Sequence, residues 1–193
     1  MEVNKAELRK IYLKKRGELS LAEVAAASKH IAERFFEEAD LANVKKFHTF
    51  IRIAKFNEPD TSNIYYRVWR EWPAIATYAP KSDLAANSIE SIRFDGETEW
   101  SENKWGIREP IGKEVAEPEQ FDLVLVPLLC FDRSGHRVGY GKGVYDQFLS
   151  NTRKDCIKIG ISIFPPVEKI DDAGDNDVRL DATITPDEVF RWQ

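Results

Sequence analysis

The spacing of apolar residues switches repeatedly between helical and extended periods, and the switches delimit the elements of the chain. Residues 1–17 read as a helix with Leu8, Ile11 and Leu19 turned inward. Ser20-Leu21-Ala22-Glu23 has the form of a capping box, so a second helix starts there and runs to Glu38, with Val24, Ile31, Phe35 and Phe36 inward. Lys46 to Ile53 alternates as a strand, Phe47, Thr49 and Ile51 opposing His48, Phe50 and Arg52. A turn at residues 57–61 leads to a third helix from Ser62 to Trp69, capped by Thr61 or Asp60. Ala74 to Ala79 is a short strand closing at Pro80, and Ile89 to Phe94 is another, antiparallel at an edge. Thr98 to Pro110 is polar and irregular, with two tryptophans. Phe121 to Val126 is a continuous apolar run between turn signals, which suits a strand buried on both faces. Ile157 to Ile163 is a strand, and Asp181 to Pro186 gives a last short one.

Strands separated by helical segments, with charged turns collected after strands, predict a three-layer α/β/α domain with a mostly parallel, Rossmann-like sheet. The 193 residues suffice for one full core, and without repeats or a low-complexity linker a single domain over 1–193 is expected. A net charge of −5 argues against a general nucleic-acid binder but leaves room for a local basic pocket. Cys130 and Cys156 make neither a disulfide framework nor a metal spacing, and Cys130, after Leu128-Leu129, reads as a small buried hydrophobe. The N-terminus has no apolar leader and no stretch approaches a membrane span, so a cytoplasmic protein is expected; a monomer is expected as well.

The candidate chemistry lies after the buried strand. Gly139, Gly141 and Gly143 alternate, with Lys142 between the last two and Arg137 just before, and Val144 to Leu149 opens a helix. Such a strand–turn–helix brings backbone N–H groups close to a phosphate, and the two cations can meet its oxygens. Asp146, one helical turn in, would face a divalent cation riding on that phosphate. Neither a Walker A loop nor G-x-G-x-x-G fits, because Lys142 precedes Gly143 and the glycines follow G-x-G-x-G. A nicotinamide-linked oxidoreductase is disfavoured too, since IKIGISIF stands where a ribose-binding acid would. A tight structural turn remains the plainer alternative.

Elsewhere the residues leave two readings open. Lys5, Arg9, Tyr12 and Arg16 stack along one helical stripe, either a solvated basic face or a clamp for polyphosphate. Glu58, beyond a strand's end, is either a solvated loop carboxylate or a ligand contact.

The segment FD-x-x-G-x-R-x-G-Y-G-K-G-x-Y-D-x-F-L, from Phe131 to Leu149, resembles the signature of the 5-formyltetrahydrofolate cyclo-ligase family. K-x-x-x-R at Lys5 and Arg9, E-x-x-T at Glu58, W-G-I-x-E-P from Trp105 and D-x-x-x-D at Asp177 and Asp181 fit the same family in the same order, so the resemblance spans nearly the whole chain. It implies ATP- and Mg²⁺-dependent closure of 5-formyltetrahydrofolate to 5,10-methenyltetrahydrofolate, by phosphorylation of the formyl oxygen and attack by the neighbouring amine. It implies further that Lys5, Arg9, Arg137, Gly139, Gly141, Lys142, Gly143 and Tyr145 bind ATP, with Lys142, Arg137 and Arg9 catalytic. Ile53, Glu58, Trp105, Tyr140 and Val144 would contact the folate, whose tail can carry extra glutamates, and Asp146 and Asp181 would hold the metal. The chain departs from the family at Val144, where Tyr is usual, at Asn176, where a His commonly precedes the aspartate, and at Pro165-Pro166, where a Gln is frequent.

Overall fold

The computed structural model describes residues 4–83, 88–103, 106–174 and 176–192. Two helices open the chain, α1 (Lys5–Gly17) and α2 (Leu21–Glu38), followed by β1 (Lys46–His48) and α3 (Ser62–Glu71). Then come β2 (Ala76–Asp83), β3 (Ser88–Phe94), β4 (Glu99–Glu102), β5 (Arg108–Ile111) and β6 (Val115–Ala116). The remainder is β7 (Leu123–Pro127), β8 (Cys130–Phe131), β9 (Arg137–Val138), α4 (Val144–Ser150), β10 (Ile157–Ile161), β11 (Ala182–Ile184) and β12 (Val189–Arg191).

The main sheet runs in the order β12-β11-β10-β7-β1-β2-β3-β6. Its five central strands, from β11 to β2, are parallel, and the strands beyond them pair antiparallel. Strand β7 explains the layering. Leu123 and Leu125 face a core made with Ile31 and Phe35 of α2 and Ile64 and Val68 of α3. Val124 and Val126 face the other way, against Phe148 and Leu149 of α4. A strand covered on both faces needs no polar alternation, hence the unbroken apolar run.

Local chemistry sets the helix starts. Ser20 accepts the Glu23 N–H at 3.2 Å while the Glu23 carboxylate accepts the Ser20 N–H at 2.8 Å, the expected capping box. At α3 the N-cap position is Thr61, but its hydroxyl donates to the Phe50 carbonyl at 2.6 Å, and it is the preceding Asp60 carboxylate that accepts the Ser62 N–H at 2.9 Å.

Several expectations need correction. Helix α1 buries Leu8, Tyr12 and Arg16, whereas Ile11 is 44% exposed. Strand β1 ends at His48, because the Phe50 carbonyl turns away to Thr61. Strand β2 runs through Pro80 to Asp83; β1 reaches only Tyr78, so beyond it β2 has a free side on which proline is tolerated. The tryptophan segment is a hairpin, Glu99 pairing with Ile111 and Glu102 with Arg108. Strand β6 lies outside β3, and β12 covers the far edge.

Candidate functional site

The glycine turn follows β9 at the end of the parallel strands to which the chain runs. Gly141 has φ +89° and Gly143 φ +68°, the left-handed region that L side chains rarely adopt. A Cβ on Gly141 would also stand 2.8 Å from the Arg9 guanidinium carbon. At Gly139 a Cβ would meet nothing within 4 Å. Two of the three glycines are therefore required by conformation, and one of those also by the close approach of α1.

That approach brings the chain's beginning to the turn. Arg9 Nε donates to the Gly139 carbonyl at 2.9 Å, and Lys5 Nζ sits 2.5 Å from Asp177 Oδ2. The Lys5 backbone N–H donates to Asp172 at 2.7 Å, tying the first turn of α1 to the segment after β10. Arg137 is buried; it donates to Asp146 Oδ1 at 2.7 Å and to the Val178 carbonyl. The Val178 N–H reaches the same Asp146 oxygen at 3.3 Å. Burial pulls the Arg137 guanidinium down from its usual range, against the pull of Asp146. Burial pushes the Asp177 carboxyl up, but the Lys5 ammonium, the Gly174 N–H and Arg137 outweigh it and hold the group below the usual range. Lys142 is exposed, and among the described residues neither it nor Arg9 lies within ion-pair distance of a carboxylate.

Beside the cationic cluster lies a buried polar chain. Arg16, 2% exposed, donates to the Tyr140 hydroxyl at 2.9 Å and to the Leu128 carbonyl at 2.5 Å. The Tyr140 hydroxyl donates to Glu58 Oε1 at 2.6 Å, and the Ile53 N–H to Glu58 Oε2 at 2.6 Å. Glu58 is thus not a solvated loop carboxylate: it is 2% exposed. Burial raises its pKa, opposed by Arg16, the Tyr140 hydroxyl and the Ile53 N–H. Val144 is half-buried at the start of α4. The Tyr145 ring meets His48 and Phe148 edge-on, and its buried hydroxyl has no partner. Burial and the Glu58 charge push that hydroxyl's pKa upward.

Trp105 lies outside the described residues. Trp100 of β4 and Arg108 of β5 pack with Ile51, Tyr65 and Trp69 around a cavity of about 90 Å³. Asp181, expected beside the metal, instead accepts the Lys158 N–H at 2.7 Å at the start of β10, with Lys158 Nζ 3.5 Å away. It is Asp177, next to Val178, that lies with Asp146 and Arg137. Among the described residues no three His, Cys, Asp or Glu side chains gather as for an all-protein metal site. Asp146 still suits Mg²⁺, which is ordinarily held by one or two carboxylates together with substrate phosphates.

Arg16, a member of the basic stripe, and Asp177, the first aspartate of D-x-x-x-D, are both brought beside the glycine turn by the fold. Arg16 follows Tyr12 by four positions and Arg9 by seven, so the basic stripe itself contained the signal.

The model of the 5-formyltetrahydrofolate cyclo-ligase family matches residues 1–186. The chain belongs to the 5-formyltetrahydrofolate cyclo-ligase family. A probable 5-formyltetrahydrofolate cyclo-ligase of Schizosaccharomyces pombe is 36% identical over 105 residues, a stretch that spans 46% of this chain and half the length of that relative. One from Caenorhabditis elegans is 24% identical across 96% of this chain and 94% of its own length. The solved 5,10-methenyltetrahydrofolate synthetase of Aquifex aeolicus is 28% identical, with a TM-score of 0.76, covering 97% of this chain and 92% of that one. The sequence relatives are named as cyclo-ligases and the solved structure as a synthetase of the methenyl folate, and the shared fold extends over nearly the whole of this chain.

Proposed function

We propose that this chain closes 5-formyltetrahydrofolate to 5,10-methenyltetrahydrofolate in an ATP- and Mg²⁺-dependent reaction that releases ADP and phosphate. The observation that carries the reading is the contact of Arg9 with Gly139 and Gly141, which joins the first helix to the glycine turn as one cationic seat. The buried Glu58–Tyr140 pair borders that seat, so a phosphate donor and a folate would meet across Tyr140.

The chemical obstacle is that a formamide oxygen leaves poorly. Phosphorylating it makes a good leaving group, after which the neighbouring amine closes the ring on the formyl carbon and phosphate departs. Such a transfer asks the protein for positioning and charge stabilisation more than for covalent chemistry. Lys142, Arg137 and Arg9 would neutralise charge growing on the phosphoryl oxygens, each contributing about 10²–10³ in rate by analogy with a single oxyanion donor. Lys5 would hold the outer phosphates, and Gly139, Gly141 and Gly143 would let backbone amides approach them. Tyr145, its hydroxyl unpartnered and enclosed, would border the nucleotide. Ile53, Glu58, Tyr140, Val144 and Trp105 would form the folate wall. Val144, smaller than the family's usual Tyr, leaves less stacking surface there. Asp146 would hold Mg²⁺ with Asp177 close by, and the ion would supply positive charge against that developing on the phosphoryl group.

The test is direct. Purified protein given ATP, Mg²⁺ and 5-formyltetrahydrofolate should develop the absorbance of the methenyl product, and omitting ATP should abolish it. ATP binding without product would support a non-catalytic binder or a different formylated substrate.

A further inference from the structure

We infer that Arg16 is a positioning residue for the folate side of the site, holding the Tyr140 hydroxyl and, through it, the Glu58 carboxylate in one arrangement. The inference rests on the folate role proposed above for Glu58.

A guanidinium buried to 2% exposure is costly unless its donors find acceptors. Arg16 finds two from a distant part of the chain, the Leu128 carbonyl just past β7 and the Tyr140 hydroxyl inside the glycine turn. It does not touch Glu58. The hydroxyl between them donates to the carboxylate while accepting from the guanidinium, so cation, hydroxyl and anion form a directed chain. A neighbouring side chain repeats the tie: Asn57, in the left-handed region at φ 48°, donates from its side-chain Nδ2 to the Arg16 carbonyl at 2.8 Å and to the Leu19 carbonyl at 3.0 Å. The loop bearing Glu58 is therefore tied to the end of α1 twice, at Asn57 directly and at the carboxylate through Tyr140.

The pinning leaves Glu58 something to offer. Its two oxygens have about four lone-pair directions, and the Tyr140 hydroxyl and Ile53 N–H occupy two. The other two suit a ligand presenting paired N–H donors, such as the pyrimidine edge of a pterin. Among the described residues, the charged and titratable groups around Glu58 are Arg16 of α1, Tyr140 of the turn and Tyr145 of α4. Of these, Arg16 is the one cation. Lysine would not substitute, because a single ammonium lacks the planar fork that reaches a carbonyl and a hydroxyl at once.

The test compares wild type with R16K, R16M, Y140F and the double variant R16M/Y140F. The expected result is a rise of about tenfold in KM for 5-formyltetrahydrofolate in each single variant, the scale of a lost hydrogen bond to a charged group, with kcat and KM for ATP within about twofold. The double variant should be no worse than the poorer single one, since both break the same chain. Y140F keeps Arg16 and its carbonyl partner, so it serves where R16M does not fold. In the unliganded proteins, carbon-13 titration of the Glu58 carboxyl should move upward in R16M and Y140F. An unchanged folate KM beside a lowered Tm, folate and ATP KM values rising together, or multiplicative effects in the double variant would each overturn the inference. Absence of product from the wild type would instead overturn the proposed reaction; the Glu58 titration, which needs no substrate, then judges Arg16, and an unmoved titration rejects it.

Discussion

Aspartates stand at both ends of the parallel strands, and what they bind differs. Where the strands begin, Asp122 accepts the N–H groups of Lys45 and Lys46 at 2.8 and 2.9 Å and takes Arg153 at 2.7 Å. Asp181 does the same for Lys158. Each closes backbone donors that the sheet leaves open, and each has its cation. At the glycine turn, Asp146 and Asp177 are paired with Arg137 and Lys5, but Arg9 and Lys142 add positive charge that no carboxylate among the described residues answers. An excess of one sign in a chain of net charge −5 is what an anionic ligand would neutralise. The pairing of a carboxylate is thus less informative than whether its neighbourhood is electrically closed.

Substitutions can break this contrast. The largest effect is expected for Lys142→Ala: kcat should fall about 10²–10³-fold, with Tm unchanged because the side chain is exposed. A collapse of Tm would make the turn structural. Asp146→Asn should come next. It releases Arg137 and should raise the Mg²⁺ concentration for half-maximal activity about 10–100-fold, read from the magnesium dependence of product formation.

A pH profile sharpens the folate side. Burial raises the Glu58 pKa, so its carboxylate takes up a proton at a higher pH than an exposed glutamate does. KM for folate should therefore climb as pH falls through that raised value while KM for ATP stays flat, and Glu58→Gln should remove the dependence. The smallest effect belongs to the strand starts. Asp181→Asn should lower stability by about 1 kcal/mol, seen in thermal or urea unfolding, and leave the magnesium dependence of turnover unmoved. A large shift in that dependence would return Asp181 to the metal.

What could be read from sequence was local. The Ser20–Glu23 box, the apolar run of β7 and the alternating glycines each carry their own physical reason within a few residues. What escaped depends on partners far away. Helix α1 has few apolar residues, so which side it buries is decided by the turn and the segment before it, and Tyr12 and Arg16 went in while Ile11 stayed out. Asp177 and Asp181 look alike in the string, yet four residues carry the chain from the turn to the start of β10. The hairpin of β4 and β5 was hidden because its strands are short and polar. Of the site itself, the turn and the basic stripe were legible as residue types, and their convergence required the fold.

The most direct measurement is an amide nitrogen-15 titration of the protein with Mg²⁺ and a non-hydrolysable ATP analogue. The largest shifts should fall on residues 139–143 and 5–9, with Lys46, Lys158 and Asp181 unmoved. Shifts centred on Lys158 and Asp181, with the glycine turn silent, would contradict it.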